Sequence, residues 1–255
     1  MTELTVDQLS VYAAGQPLVE NASFALRPGE LQVIVGPNGA GKSSLLRASL
    51  GLLTATSGSA RLNGTDISAI SPLERARQIS YLPQIKPLVW PSRVRDIVAL
   101  GRFCYGASLG KLKPADASAV ARALTACDLD ALADRPAHTL SGGELARVHF
   151  ARALAAETPL LVADEPIASL DPSHQFRILD LVSDYVAKGG GAILVLHDLA
   201  LAARYATHLI WMLDGRIVLE APPEESLTAD AVGRIFGVDA EVTERGLILN
   251  GRSQT

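Results

Sequence analysis

The sequence predicts an α/β fold: a core with a mainly parallel sheet, an antiparallel β subdomain on the N-terminal side, and an all-helical insertion. Three observations predict it. Strand-like and helix-like segments alternate along the chain, the pattern of parallel strands joined through helices. The apolar runs at 31–35, 160–163 and 192–196 are short, and each is followed at once by polar or Gly-rich residues. Buried strands with functional loops at their C-terminal ends have this form. From about 92 to 156 the apolar spacing is helical and alanine-rich, with no strong strand pattern.

Residues 4–26 read as a β-hairpin with its turn near 14–17. The apolar run Leu31–Val35 then leads into Gly36-Pro37-Asn38-Gly39-Ala40-Gly41-Lys42-Ser43, with Ser44 behind it. This fits G-x-x-x-x-G-K-[ST] between a predicted strand and a predicted helix, the context the motif needs. A triphosphate carries several negative charges, so it binds where backbone N–H groups converge and a helix N-terminus adds its positive end. Lys42 then reaches the β- and γ-phosphates, and the Ser43 hydroxyl completes a Mg²⁺ shell. A Gly-rich turn opening an amphipathic helix would have a similar composition; the strand before and the helix after favour a P-loop NTPase core. The motif alone does not separate ATPases from GTPases.

After the helical stretch, the run at 160–163 ends in two adjacent acids, Asp164 and Glu165. Side chains alternate along a strand, so the two are expected to point differently. Asp164 suits a role on Mg²⁺ through water, and Glu165 one of orienting and polarising the attacking water. Two acids capping a strand at the surface are common; the P-loop upstream favours chemistry. The third apolar run, 192–196, ends at His197. Residues 200–205 look helical, and 208–213 and 216–220 flank Asp214-Gly215, a strong hairpin dipeptide. The organisation expected is one domain over 1–241, its helical insertion at about 92–156, and a short polar tail over 242–255. No internal repeat is visible.

Composition narrows the function classes. With 255 residues and 48% hydrophobic content the chain buries a sizeable core. A net charge of −4 lacks the positive excess of a protein that grips nucleic-acid phosphates. The two cysteines, Cys104 and Cys127, form no C-x-x-C or His/Cys cluster, which favours reduced structural thiols over a disulfide or zinc site. The start, MTELTVDQLS, has neither a basic nor an apolar region marking it for export. No apolar stretch approaches the roughly 20 residues of a spanning helix. Work at a membrane would need a partner to hold the chain there.

Leu140-Ser141-Gly142-Gly143-Glu144 precedes a helical run through Arg147, Arg152 and Leu154. A serine hydroxyl and two glycines at a helix N-terminus form a second anion site, in a chain that already has one phosphate cradle. Two half-sites suggest a two-fold dimer in which each ATP lies between one subunit's P-loop and the other's Ser141–Gly143. A serine N-cap followed by glycines is the plainer alternative.

LSGGE resembles the signature motif of the ABC ATPases, usually LSGGQ. Other residues carry the same resemblance. Tyr12 resembles the aromatic that stacks on adenine. Gln84, in Tyr81-Leu82-Pro83-Gln84, resembles the Gln-loop residue that senses Mg²⁺ and the attacking water. Asp171, in Ser169-Leu170-Asp171, resembles the dimer-crossing D-loop, and His197 the switch histidine at the γ-phosphate. The segments Ser71-Pro72-Leu73-Glu74-Arg75-Ala76-Arg77, 94–102 and 196–205 look like those of bacterial importers for iron–siderophore complexes, haem and cobalamin. The resemblance implies an ATP- and Mg²⁺-dependent transport ATPase that works as a homodimer. Two integral-membrane permease subunits and, indirectly, a substrate-binding protein would be its partners, with no nucleic acid. Its place would be peripheral, on the cytoplasmic face of the bacterial inner membrane. The chain departs from the usual pattern at Ile167, Leu145-Ala146 and Ala163, none of which removes a catalytic group. Soluble relatives acting on DNA or ribosomes carry a long coiled coil or two cassettes, which this sequence lacks. A non-hydrolysing regulatory subunit is disfavoured by Lys42, Asp164, Glu165 and His197 together.

Overall fold

The computed structural model describes residues 2–84, 92–108, 110–243 and 246–252. They form two compact units, Met1–Ala69 with Ala192–Thr255, and Ile70–Gly191.

The first unit opens on a hairpin. Strands β1 (Leu4–Ala13) and β2 (Gln16–Leu26) pair antiparallel, and Ala14 and Gly15 between them take φ of 49° and 78°. The buried apolar positions of β1 are Leu4, Val6, Leu9 and Val11. The step from Val6 to Leu9 breaks the two-residue period, and an irregularity there, with Gln8 at φ 45°, returns Leu9 to the inner face. β3 (Leu31–Val35) is buried at every position and runs toward helix α1 (Lys42–Ser49). β4 (Ser57–Leu62) and β5 (Thr65–Asp66) complete an antiparallel sheet of order β2-β1-β4-β5.

The second unit begins with α2 (Pro72–Ala76), whose first turn is closed by a Ser71/Glu74 capping box. β6 (Ile79–Leu82), α3 (Val94–Ala99), α4 (Pro114–Ala126) and α5 (Gly142–Ala155) follow. Then come β7 (Leu160–Asp164), which pairs parallel to β6, and α6 (Pro172–Ala187). A 3-10 segment, Leu100–Tyr105, carries Arg102 into the interior. There its Nε lies 2.9 Å from Asp116 Oδ1 and its Nη1 3.1 Å from the Ala155 carbonyl, while the guanidinium sits 4.0 Å from the Tyr105 ring centre. One arginine thus joins the 3-10 segment, α4 and the end of α5. The unit reaches beyond the 92–156 stretch, because β6, β7 and α6 belong to the same compact body.

The chain returns to the first unit with β8 (Gly191–Val195), α7 (Leu199–Tyr205), β9 (His208–Leu213) and β10 (Arg216–Ala221). β8 and β9 flank β3, both parallel to it, and β10 pairs antiparallel with β9 around the Asp214-Gly215 turn. α8 (Pro223–Ser226) and α9 (Ala229–Phe236) follow. Beyond them the residues expected as a polar tail differ: β11 (Val238–Thr243) and β12 (Gly246–Arg252) pair as an antiparallel hairpin that runs across the 241/242 boundary. Acids alternate with small apolar residues in Val238-Asp239-Ala240-Glu241-Val242, a strand too polar to stand out without its partner.

Among the described residues no helix is long and apolar enough to cross a membrane. Both cysteines are free and buried. Burial pushes the Cys127 thiol up to about 12 and raises Cys104 as well, which disfavours the thiolate form of both.

Candidate functional site

The loop between β3 and α1 has its shape dictated by three glycines, for different reasons. Gly36 stands at φ 153°, and a Cβ there would lie 2.2 Å from the Met212 carbonyl oxygen of β9. Gly41, directly before α1, stands at φ 94° with a Cβ position 2.2 Å from the Leu18 carbonyl oxygen of β2. Gly39, at φ 84°, needs only the left-handed backbone, since nothing lies within 4 Å. Two strands therefore close on the loop from behind, and its other side carries exposed Asn38 and Gly39.

Lys42 is the first residue of α1 and is buried, with 6% of its surface exposed. Its ammonium donates to the carbonyls of Gly36 at 2.7 Å and Pro37 at 2.8 Å. A cation is thus fixed over a turn of backbone at the positive end of a helix, the electrostatic requirement of a phosphate site. Ser43 and Ser44 follow, half-buried in the first turn. The turn after β9 braces this loop: the Gly215 N–H donates to the Ala40 carbonyl at 3.2 Å, and the Gly215 carbonyl accepts from the Glu20 N–H at 2.8 Å. The dipeptide announces a hairpin, whereas its bracing of the phosphate loop has no local signal, because it is a contact between distant turns.

Two further predicted residues lie in the first unit. Tyr12, near the end of β1, is 44% exposed, which leaves ring surface available for stacking. His197 is exposed just past β8, and Asp198 beside it caps α7 by accepting from the Ala200 and Leu201 N–H groups at 2.8 and 2.9 Å. The cap fixes where β8 stops and hence where His197 stands.

The other predicted residues belong to the second unit. Asp164 closes β7 and is buried, whereas Glu165 is half-buried and takes φ 52°, a left-handed conformation costly for a residue with a Cβ. The turn in the backbone sends the two acids to different surroundings. Gln84, after β6, donates from Nε2 to Glu165 Oε2 at 2.8 Å. Parallel pairing of β6 with β7 brings these residues together across 81 positions. Carboxylate and amide oxygens, as Asp164 and Gln84 offer in this unit, suit a hard cation such as Mg²⁺, as does a hydroxyl of the kind Ser43 offers in the first unit. Among the described residues no group of three or more His, Cys, Asp and Glu side chains could hold a metal. An ion carried by a nucleotide's phosphate oxygens needs no such group.

Ser141 caps α5: its hydroxyl accepts from the Glu144 N–H at 3.3 Å, and the Glu144 carboxylate accepts from the Ser141 N–H at 2.8 Å. Hydrogen bonding of the Glu144 carboxyl to the Ser141 N–H first, and to the Ser141 side chain second, holds it below the usual range. Gly142 has open space where a side chain would begin, and a Cβ on Gly143 would come within 3.5 Å of the Ser169 carbonyl oxygen. The LSGGE turn therefore lies against the loop that follows Glu165. Asp171 ends that loop as the N-cap of α6. The His174 N–H, the His174 ring and the Ser173 hydroxyl hold its carboxyl well below the ordinary range.

Comparison with known proteins agrees with this set of motifs. The family described as "ABC transporter" matches residues 19–168. The hemin import ATP-binding protein HmuV of Nocardia farcinica is 39% identical over 241 residues, 94% of this chain and 83% of that one. The probable siderophore transport system ATP-binding protein YusV of Bacillus subtilis is 37% identical over 245 residues, 96% of this chain and 89% of that one. Among solved structures, the ADP conformation of an ATP-binding cassette of an ABC transporter superposes with a TM-score of 0.81 at 27% identity, covering 92% of this chain and 98% of that one.

Proposed function

The chain belongs to the ABC transporter family, and on that premise we propose how its residues divide the work of an importer's ATP-hydrolysing subunit. It binds and hydrolyses ATP to drive uptake, and the substrate we assign is an iron–siderophore, haem or cobalamin-type compound. The observation that carries this is similarity over more than nine-tenths of the chain to ATP-binding subunits named for hemin import and siderophore transport.

The roles follow from each residue's chemistry. Backbone N–H groups of residues 36–44 cradle the phosphates, with the Lys42 ammonium on the β- and γ-phosphates and the Tyr12 ring against adenine. Ser43, Asp164 and Gln84 hold Mg²⁺, which neutralises phosphate charge when bound. Glu165 accepts the hydrogen bond of the attacking water and polarises it, and its 2.8 Å bond from Gln84 supports that assignment by limiting where the carboxylate can point. His197 donates to the γ-phosphate. Ser141, Gly142, Gly143 and Glu144, with Asp171, serve a second copy of the chain, so that two nucleotides are closed between two subunits. Nucleotide then shifts the pair between open and closed states at the cytoplasmic face of the inner membrane, and two integral-membrane permease subunits follow that motion.

Glu165→Gln tests the centre of this assignment. ATP binding is expected to persist while phosphate release falls by roughly 100-fold or more, the scale of a lost general base, with a nucleotide-bound dimer accumulating on size exclusion. Hydrolysis at the parent rate would remove Glu165 from its role.

A further inference from the structure

The loop from Glu165 to Asp171 connects two parts of the proposed site and is secured by side chains that no motif reading uses. At its centre Leu170 N–H donates to the Ile167 carbonyl at 3.1 Å, and both of these side chains are buried while Ala168 and Ser169 are exposed. Beyond it, the first turn of α6 reaches back twice. His174 Nδ1 lies 2.8 Å from Asp171 Oδ2 and 3.0 Å from Oδ1. Because an ionised carboxylate only accepts, Nδ1 carries the proton. Gln175 Nε2 donates to the Leu170 carbonyl at 3.1 Å and the Ile167 carbonyl at 3.4 Å.

We propose that His174 and Gln175 are positioning residues for hydrolysis: they clamp residues 167–171 so that Glu165 at one end of the loop and the Ser141–Gly143 turn beside Ser169 keep one relative placement. Asp171 is an N-cap already through the His174 N–H at 3.0 Å, so helix α6 does not need the ring bond as well. The Gln175 amide, equally, satisfies carbonyls of a loop and not of its own helix. Both bonds restrain the loop, and the loop packs against the LSGGE turn: a Cβ on Gly143 would lie 3.5 Å from the Ser169 oxygen and 3.8 Å from the Leu170 side chain. Loosening it displaces the water-polarising carboxylate without touching a phosphate-binding group, and misplacement on the order of 1 Å costs roughly 100-fold in rate.

The inference rests on the proposed roles of Glu165 and Ser141. It is tested on the full chain by phosphate-release rates and by calorimetric affinity for Mg²⁺-ADP. His174→Ala and Gln175→Ala are each expected to lower kcat roughly ten-fold or more and leave ADP affinity within about two-fold. His174→Asn, which keeps an amide donor near the place of Nδ1, restores most of the rate. Unchanged kcat in both alanine variants overturns the proposal, as does a His174→Asn variant no better than His174→Ala. So does a loss of rate matched by an equal loss of ADP affinity and of thermal stability. Glu165→Gln measured alongside separates the two readings: if it still hydrolyses, the role of Glu165 falls; if it does not and the clamp variants are unaffected, only the clamp falls.

Discussion

At Gly36 the Met212 carbonyl occupies the place where any side chain would start, whereas at Gly39 only the backbone angle resists substitution. The two therefore separate steric from conformational cost. Gly36→Ala is expected to move the loop or β9, lowering the melting temperature and weakening ATP binding by more than ten-fold, roughly 1.4 kcal/mol. Gly39→Ala carries the left-handed penalty alone, about 1–2 kcal/mol of stability. Calorimetric unfolding and ATP titration of both variants check this, and equal losses would remove the steric account. Asp171 gives a prediction in pH. Its folded pKa is lowered, so its contribution is fully present above the ordinary carboxylate value of about 4 and is lost as pH falls from there through the folded value. Asp171→Asn is thus expected to show a shallower loss of melting temperature below about pH 4 than the parent does.

Among the elements, α5 joins a stabilising cap to a proposed phosphate contact in the same serine. Asparagine caps helices about as well as serine but lacks a hydroxyl. Ser141→Asn is therefore expected to keep the denaturation midpoint while hydrolysis falls, and Ser141→Ala to lose about 1 kcal/mol of stability as well. Hydrolysis at the parent rate in Ser141→Asn would leave Ser141 with capping alone. The readability of the sequence also divides by element. β3, the P-loop and α1 were legible because strand, glycines and helix are contiguous, and the β9–β10 hairpin because Asp214-Gly215 announces it. β4 to β6 were not, being short and without an apolar run. β11 and β12 were hidden by alternating acids. The Gln84–Glu165 bond depends on β6 lying beside β7, a pairing that no local pattern encodes.

On the scale of the molecule, the second unit is held by ion pairs of unequal worth. Asp116 and Arg102 have side chains only 6% and 9% exposed, and Asp134 faces Arg95 at 64% and 49%. Removing Asp116 takes the buried carboxylate from Arg102 but leaves Glu157 at 3.2 Å and the Ala155 carbonyl at 3.1 Å, so Asp116→Ala is expected to cost about 1–3 kcal/mol. Asp134→Ala is expected to cost less than about 1 kcal/mol. Denaturant midpoints decide between them. The shared-site proposal predicts that a bulky replacement at Ser141, mixed with a Lys42→Ala chain, regains activity that neither homodimer has. No recovery would argue for sites complete within one copy.

The Asp214-Gly215 turn offers a practical handle. It is tied on one side to Glu20 of β2 and on the other to Ala40 of the P-loop, and it carries none of the groups assigned to chemistry. Lengthening this turn is expected to loosen the backbone of the phosphate loop without removing any side chain assigned to chemistry, so its length sets how stiff a floor the loop rests on.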